Sequence, residues 1–358
     1  MWTNHLSKLL GVTYPIIKAP MFGSDSADLI AAVSNGGGLG AYGVGRSNGH
    51  VIRSVIKQIR ELTDKPFAIN LFIPEKKIEG MDKVDGINEA MDMYREELGI
   101  KRGTFKAPSH NINEQLEVIL EEKVPVVSFT FGSLEVEWIK KLKENGSIVC
   151  GTATNVREAI VLEQSGVDFI VGQGSEAGGH RGTFIGEFNT SLIGTMALIP
   201  QIVNAVKIPV VAAGGIMDGR GIVAAFALGA SGVQMGTAFL TCVESAAPSI
   251  HKEAIQESTE EQSMITTTFS GKPARGIHNR FKQEMEQLLP GIPGYPLQDI
   301  LTKDIRDAAA QQRNRDLMSL WAGQGTRLSR SLRAGELLNE VVKEAEQTLQ
   351  VMKNRLSF

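Results

Sequence analysis

Two hydrophobic patterns take turns along this chain. Short, nearly continuous apolar runs rich in β-branched residues recur at 15–21, 39–44, 67–72, 124–131, 147–153, 168–173, 208–213 and 232–238. Runs of that length without alternation are what parallel strands covered on both faces require. Between them lie stretches with helical spacing, at 26–35, 48–62, 113–122, 134–145, 155–164, 190–206 and 219–228. Several open on a helix start signal, such as Asn155 ahead of Val156-Arg-Glu-Ala. Eight strand–helix units with glycine-rich strand exits predict an α/β fold, a TIM (β/α)8 barrel.

Two stretches break the rhythm. Residues 74–111 are rich in charge, with a helical piece at 87–98, and are expected either to lie over the site or to decorate the surface. Residues 242–358 are polar and mostly helical, interrupted by Gly291-Ile-Pro-Gly-Tyr-Pro296. The predicted organisation is therefore a barrel over 1–241 and a smaller helical lobe over 242–358 that returns to the barrel mouth. The last stretch, 334–354, places Leu337, Leu338, Val341, Val342, Ala345, Leu349 and Met352 at helical spacing and is expected to pack on the barrel.

Bulk composition narrows the class of partner. With 358 residues, 42% hydrophobic and 22% charged, and a formal net charge of -3, nothing favours nucleic acid or an anionic membrane. The apolar runs are too short to span a bilayer, and the first residues lack the basic segment and apolar core of a signal peptide. Cys150 and Cys242 have no metal-ligand spacing and read as free, buried thiols of a cytoplasmic protein. No metal site is expected.

The densest chemical signal follows the sixth run, in Val171-Gly-Gln-Gly-Ser-Glu-Ala-Gly-Gly-His-Arg-Gly182. Its five glycines let backbone approach something flat or anionic, and one imidazole, His180, is delivered to the same place. Two more strand ends carry phosphate signals: Ala212-Ala-Gly-Gly-Ile216, followed by Asp218-Gly-Arg-Gly221, and Gln234-Met-Gly-Thr-Ala238. Unobstructed N–H groups at Gly214, Gly215 and Gly236, with the Thr237 hydroxyl, suit a phosphate at the last two strands of a barrel. Gly38-Leu-Gly-Ala-Tyr-Gly43 matches a dinucleotide fingerprint in letters only, because a helix precedes it and a strand runs through it. His5, His50, His110, His251 and His278 lie away from any glycine-rich strand exit and are read as structural. Glu176 suits structural duty, either bonding loop amides or pairing with Arg181. Arg181 either adds positive charge or faces water. Lys18 and Tyr295 are candidates for the mouth, with solvated surface the simpler reading for each.

These stretches resemble the nitronate monooxygenase family, formerly the 2-nitropropane dioxygenases, and more closely its bacterial class. Ala19-Pro-Met-Phe-Gly23, Ser128-Phe-Thr-Phe-Gly132, Gly151-Thr-Ala153, the segment from Gln173 to Gly182, and Trp321-Ala-Gly-Gln324 carry the likeness through nearly the whole chain. Lys18 departs from it, since glutamine is expected before Ala-Pro-Met. The resemblance implies a TIM barrel with non-covalently bound FMN. It also implies oxidation of alkyl nitronates, propionate 3-nitronate above all, by molecular oxygen to a carbonyl compound and nitrite, a detoxifying reaction. Carried over by motif, FMN contacts fall on Asn70, Gln173, Gly178, Gly215, Gln234, Met235, Gly236 and Thr237, and the catalytic group on His180. A nitronate is already a carbanion equivalent. His180 is therefore expected to hold the anionic nitro oxygens, as imidazolium or N–H donor, with deprotonation of a neutral nitroalkane as its other role. Two alternatives stand beside this: an FMN-dependent enoyl-acyl-carrier-protein reductase using NAD(P)H, which shares the Glu-Ala-Gly-Gly-His loop, and a non-catalytic flavin or phosphate-ligand binding barrel.

Overall fold

A computed structural model describes residues 1–75, 77–106 and 111–356, so His110 lies outside the described residues. The strands in chain order are β1 (Ile16–Lys18), β2 (Leu39–Gly45), β3 (Phe67–Phe72), β4 (Val126–Thr130), β5 (Ile148–Ala153), β6 (Phe169–Gln173), β7 (Gly179–His180), β8 (Val210–Ala213), β9 (Gly232–Met235), β10 (Ser263–Thr266) and β11 (Ala274–Ile277). Eight of these, all but β7, β10 and β11, close a barrel. Ile17 of β1 stands in parallel register with Leu39 of β2 on one side and Gln234 of β9 on the other, which closes the ring. All eight predicted runs are barrel strands, some shorter by two or three residues at an end. β1, for example, stops at Lys18: Ala19 still donates its N–H to the Met235 carbonyl, but Pro20 has no N–H to carry the ladder on.

Period-two alternation explains why the barrel is packed below and open above. Ala68, Val126, Cys150, Phe169, Val171 and Val211 are buried against one another inside the barrel. Two residues further along their strands, the inward positions become Asn70, Ser128, Thr152 and Gln173, which line the mouth cavity together with Gln234. An apolar plug thus supports a polar floor at the C-terminal face.

The helix directly after β9 is a single turn, Thr237–Leu240. The wall there is completed by the chain's last helix, Ala334–Leu356, which buries Leu337, Leu338, Val341, Val342 and Ala345 in the same core as the barrel strands. It lies against Gly219–Ala227 so closely that a Cβ on Gly219 would enter the backbone of Glu344 and Ala345.

A second hydrophobic core sits over the mouth. Its residues come from two separate parts of the chain: Val84, Ile87, Met91 and Tyr94 from the stretch after β3, and Phe281, Leu297, Ile305 and Leu317 from the tail. Of the two expectations for the charged stretch after β3, it lies over the site rather than decorating the surface, because five of its apolar residues, with Leu98 the fifth, are buried in that core. Nor is the tail helical throughout, since β10 and β11 form an antiparallel pair. The hairpin has a weak local signal because its third strand is β7, borrowed from the glycine loop of the barrel.

Candidate active site at the barrel mouth

A cavity of about 810 Å³ opens between the strand ends and the second core. His180 reaches it on β7, whose pairing with β11 sets His180 opposite Ala274. The loop between β6 and β7 is held from below by Gln173. Its Nε2 donates to the His180 carbonyl at 3.0 Å, and its Oε1 accepts the Gly182 N–H at 2.8 Å. Arg181 turns inward rather than to water. It is 6% exposed and donates to the carbonyls of Gln173, Thr154 and Ser191. Burial lowers its pKa to about 10, so it remains a cation at neutral pH. Glu176 accepts from the Thr195 N–H at 2.8 Å and from the Thr195 hydroxyl at 2.9 Å, tying the loop to the start of helix Thr195–Ala205.

Around His180 stand four rings, those of Trp321, Phe131, Tyr295 and Phe72, with centroids 5.6, 5.8, 5.9 and 6.5 Å away. Phe131 holds φ +77, a costly conformation for a bulky residue, and directs its ring at the imidazole. Tyr295 thus packs behind His180 and Phe131 and is not solvated surface. His180 Nε2 lies 2.8 Å from Ser270 Oγ, whose only hydrogen goes to the Lys272 carbonyl at 3.0 Å. That network assigns the imidazole hydrogen to Nε2 and leaves the Nδ1 lone pair free. Burial lowers the His180 pKa to about 4, with the Lys272, Arg306 and Arg46 cations adding to it and Asp299 opposing. His180 is therefore neutral at rest. Desolvation thus disfavours the imidazolium form in the free site, and the Nε2–H bonds to Ser270.

The remaining predicted residues gather around the same cavity with one exception. Asn70, Gln173, Gly178, Gly215, Gln234, Gly236 and Thr237 all line it. Met235 does not: its side chain is 1% exposed and packs outward in the core, while its carbonyl accepts from Ala19. Asn70 donates to Ser128 Oγ at 2.9 Å. The consecutive glycines after β8 have φ +113 and +71, which only glycine adopts readily. Gly178 also makes a close approach to the tail. A Cβ there would come within 2.5 Å of the Ala322 and Gly323 backbone, so its bareness admits the tail. Gly323 in turn donates its N–H to Thr237 Oγ1 at 2.9 Å.

Several residues carried no readable signal in the sequence. Ser270 acts through a turn in the tail. His251, 4% exposed, bonds through Nε2 to the Trp321 carbonyl at 3.1 Å, and burial lowers its pKa to about 4. Arg46, just past β2, could have been found from its place at a barrel strand exit. Lys18 is corrected outright. It is fully buried and pairs with Asp25, and it also donates to the Ala41 carbonyl at 3.0 Å. Asp25 Oδ2 accepts the N–H groups of Met21 and Gly43, both at 2.8 Å, so the pair anchors the loop that carries Met21 to Ser24 at the mouth.

Comparison with known proteins agrees with this arrangement. The sequence model of the nitronate monooxygenase family matches residues 3–344. A probable nitronate monooxygenase of Staphylococcus saprophyticus is 45% identical over 350 residues, covering 97% of this chain and 99% of that protein. One from Staphylococcus aureus is 43% identical over 353 residues, covering 98% and 99%. The crystal structure of a nitroalkane oxidase from Streptomyces ansochromogenes superposes with a TM-score of 0.91 at 36% identity, covering 98% of this chain and all of that one. FabK from Thermotoga maritima superposes at 0.78 with 29% identity, covering 99% and 100%. With the family matched across nearly its whole length, the chain belongs to the nitronate monooxygenase family and is an oxidoreductase.

Proposed function

We propose that this protein binds FMN non-covalently at the barrel mouth and oxidises alkyl nitronates of the propionate 3-nitronate kind with molecular oxygen, yielding a carbonyl compound and nitrite. The observation that carries this reading is the convergence of the β8 and β9 exits with His180 in one cavity. The residues fit the group. Gly236 faces open space, since a Cβ there would meet only Ala19 Cβ at 3.6 Å and Met21 Sδ at 3.9 Å. The Thr237 hydroxyl accepts from Gly323 and so keeps its own hydrogen to donate. Gly215 and Gly236 would offer N–H groups to the phosphate, and the amides of Asn70 and Gln234 polar partners to the ring edge. When bound, the flavin supplies the electron transfer and the reaction with oxygen.

The protein's own contribution is placement and proton handling. The four rings around His180 exclude water from the reacting end. Neutral His180, with its hydrogen fixed on Nε2, presents an acceptor rather than a charge. It can take the α-proton of a neutral nitroalkane, a step a preformed nitronate does not need. The nitroalkane oxidase likeness supports nitro compounds as the substrate class. The FabK likeness favours a second reading, reduction at the expense of NAD(P)H.

One titration separates them. Purified protein, reconstituted with FMN if necessary, is mixed anaerobically with propionate 3-nitronate or with NADH while visible absorbance is followed. Bleaching by the nitronate and not by NADH supports the proposal. Rapid bleaching by NADH alone moves the assignment to the reductase. Failure to take up FMN removes both.

A further inference from the structure

The outer rim of the cavity is cationic. Arg46, Lys106, Lys303 and Arg306 line it, against Asp299 and Asp307. Two of the four cations are committed elsewhere. Lys303 pairs with Asp307 one helical turn away, on the surface. Arg306 puts Nη2 on the Asp299 carbonyl at 2.7 Å and on its carboxylate at 2.9 Å, with Nε on Thr302 Oγ1 at 3.1 Å.

Arg46 is different. It spends one nitrogen, Nη2, on Asp299 Oδ2 at 2.5 Å, and its Nε and Nη1 meet no acceptor among the described residues. Its side chain is 20% exposed and its guanidinium carbon lies 5.6 Å from the centroid of the Tyr295 ring. That ring is in turn 5.9 Å from His180. The Tyr295 ring thus lies close to both Arg46 at the rim and His180. Two guanidiniums sharing the single carboxylate of Asp299 leave a positive charge over, and the second Nη2 hydrogen of Arg46 with an unused neighbouring nitrogen still makes one planar edge that suits a second carboxylate.

We infer that Arg46 is a specificity-determining residue that binds a carboxylate at the far end of the substrate while the nitronate end faces His180. Asp299, gripped by Arg306, is a positioning residue that holds the fork in place. This inference rests on the nitronate reading above, and two measurements keep the two separable.

In the first, KM is compared for propionate 3-nitronate and ethyl nitronate, which share the reacting group but not the carboxylate. Arg46→Gln is expected to raise KM for the former by about tenfold or more and leave the latter within about twofold, with flavin content unchanged. Arg46→Lys, which keeps charge but not the fork, should fall between. In the second, malonate is titrated calorimetrically into the FMN-loaded protein. The wild type should bind it, and Arg46→Gln should weaken binding by a similar factor. Equal effects on both nitronates, or no effect on either, overturn the subsite. So does malonate binding that is insensitive to Arg46. A wild type that oxidises neither nitronate yet binds malonate through Arg46 keeps the subsite and discards the nitronate reading.

Discussion

Gln173 holds His180 by its main chain: the Gln173 amide spans the loop, donating to the His180 carbonyl at 3.0 Å and accepting from Gly182 at 2.8 Å. The last residue of a barrel strand thereby fixes the far end of the loop that carries His180. Gln173→Leu keeps the bulk and removes both bonds. Turnover should fall by roughly ten- to a hundredfold, consistent with losing one or two hydrogen bonds of about 1 kcal/mol each plus orientation. Gln173→Glu keeps the acceptor for Gly182 and should retain more activity. Steady-state kinetics on a nitronate checks both, with flavin content measured alongside to separate loop disorder from cofactor loss.

His180 is expected to matter unequally for two substrates. Because it rests neutral with Nδ1 free, His180→Asn should lower activity on neutral nitroethane by about 10²–10⁴, the range of a lost general base. Activity on preformed ethyl nitronate should fall far less. The wild-type rate on nitroethane should also stay level as pH drops from 8 to 6, since burial holds the imidazole pKa near 4 and the Lys272, Arg306 and Arg46 cations lower it further against Asp299. A break in that profile near 6.5, the ordinary histidine value, would contradict the neutral resting form.

The barrel was legible because its strands are nearly continuous apolar runs whose exits carry glycines, and both are local properties. His180 and the β8 and β9 exits were legible for the same reason. What the sequence concealed is non-local. β10 and β11 are short, and they gain their third strand only where Gly179 and His180 join them. Ser270 and His251 bond single atoms across the molecule and leave no periodic trace. Lys18 misled because an isolated lysine is usually solvated, and only the fold brings Asp25 to it in the interior. Gly178 signals close approach in the sequence, but the tail backbone that approaches it is 144 residues away and leaves no local trace.

That contact makes a sharp test. Gly178→Ala places a Cβ within 2.5 Å of the Ala322 and Gly323 backbone, which cannot move aside without releasing the Gly323 bond to Thr237. Flavin retention should drop and Trp321 should lose its place beside His180. The variant is expected to unfold at lower temperature, with a destabilisation of about 1–3 kcal/mol, as overpacking against rigid structure gives. Thermal denaturation with and without added FMN measures both effects.

Lys18 and Asp25 form a buried pair whose members cannot be separated cheaply. Lys18→Met leaves Asp25 charged and fully enclosed while it still accepts from Met21 and Gly43. A loss of about 3–5 kcal/mol is expected in urea denaturation, the usual result of orphaning a buried charge. Burial also lowers the Lys18 pKa, against the opposing pull of the Asp25 carboxylate.

Stability should decline on mild acidification for a reason traceable to His251. Its imidazole is enclosed beside Trp321 with a pKa near 4, against an ordinary 6.5. Between those values the unfolded chain binds a proton that the folded chain refuses, so stability rises with pH across that window and is lost as pH falls through it. Complete acidification would cost on the order of 3 kcal/mol from this one group. His180, also lowered to about 4, adds to the slope in the same direction. His251→Gln removes the titration while keeping a donor for the Trp321 carbonyl. Its melting temperature should therefore fall less than that of the wild type between pH 7 and pH 5. Equal falls would mean that carboxylates, and not this histidine, govern the acid limb.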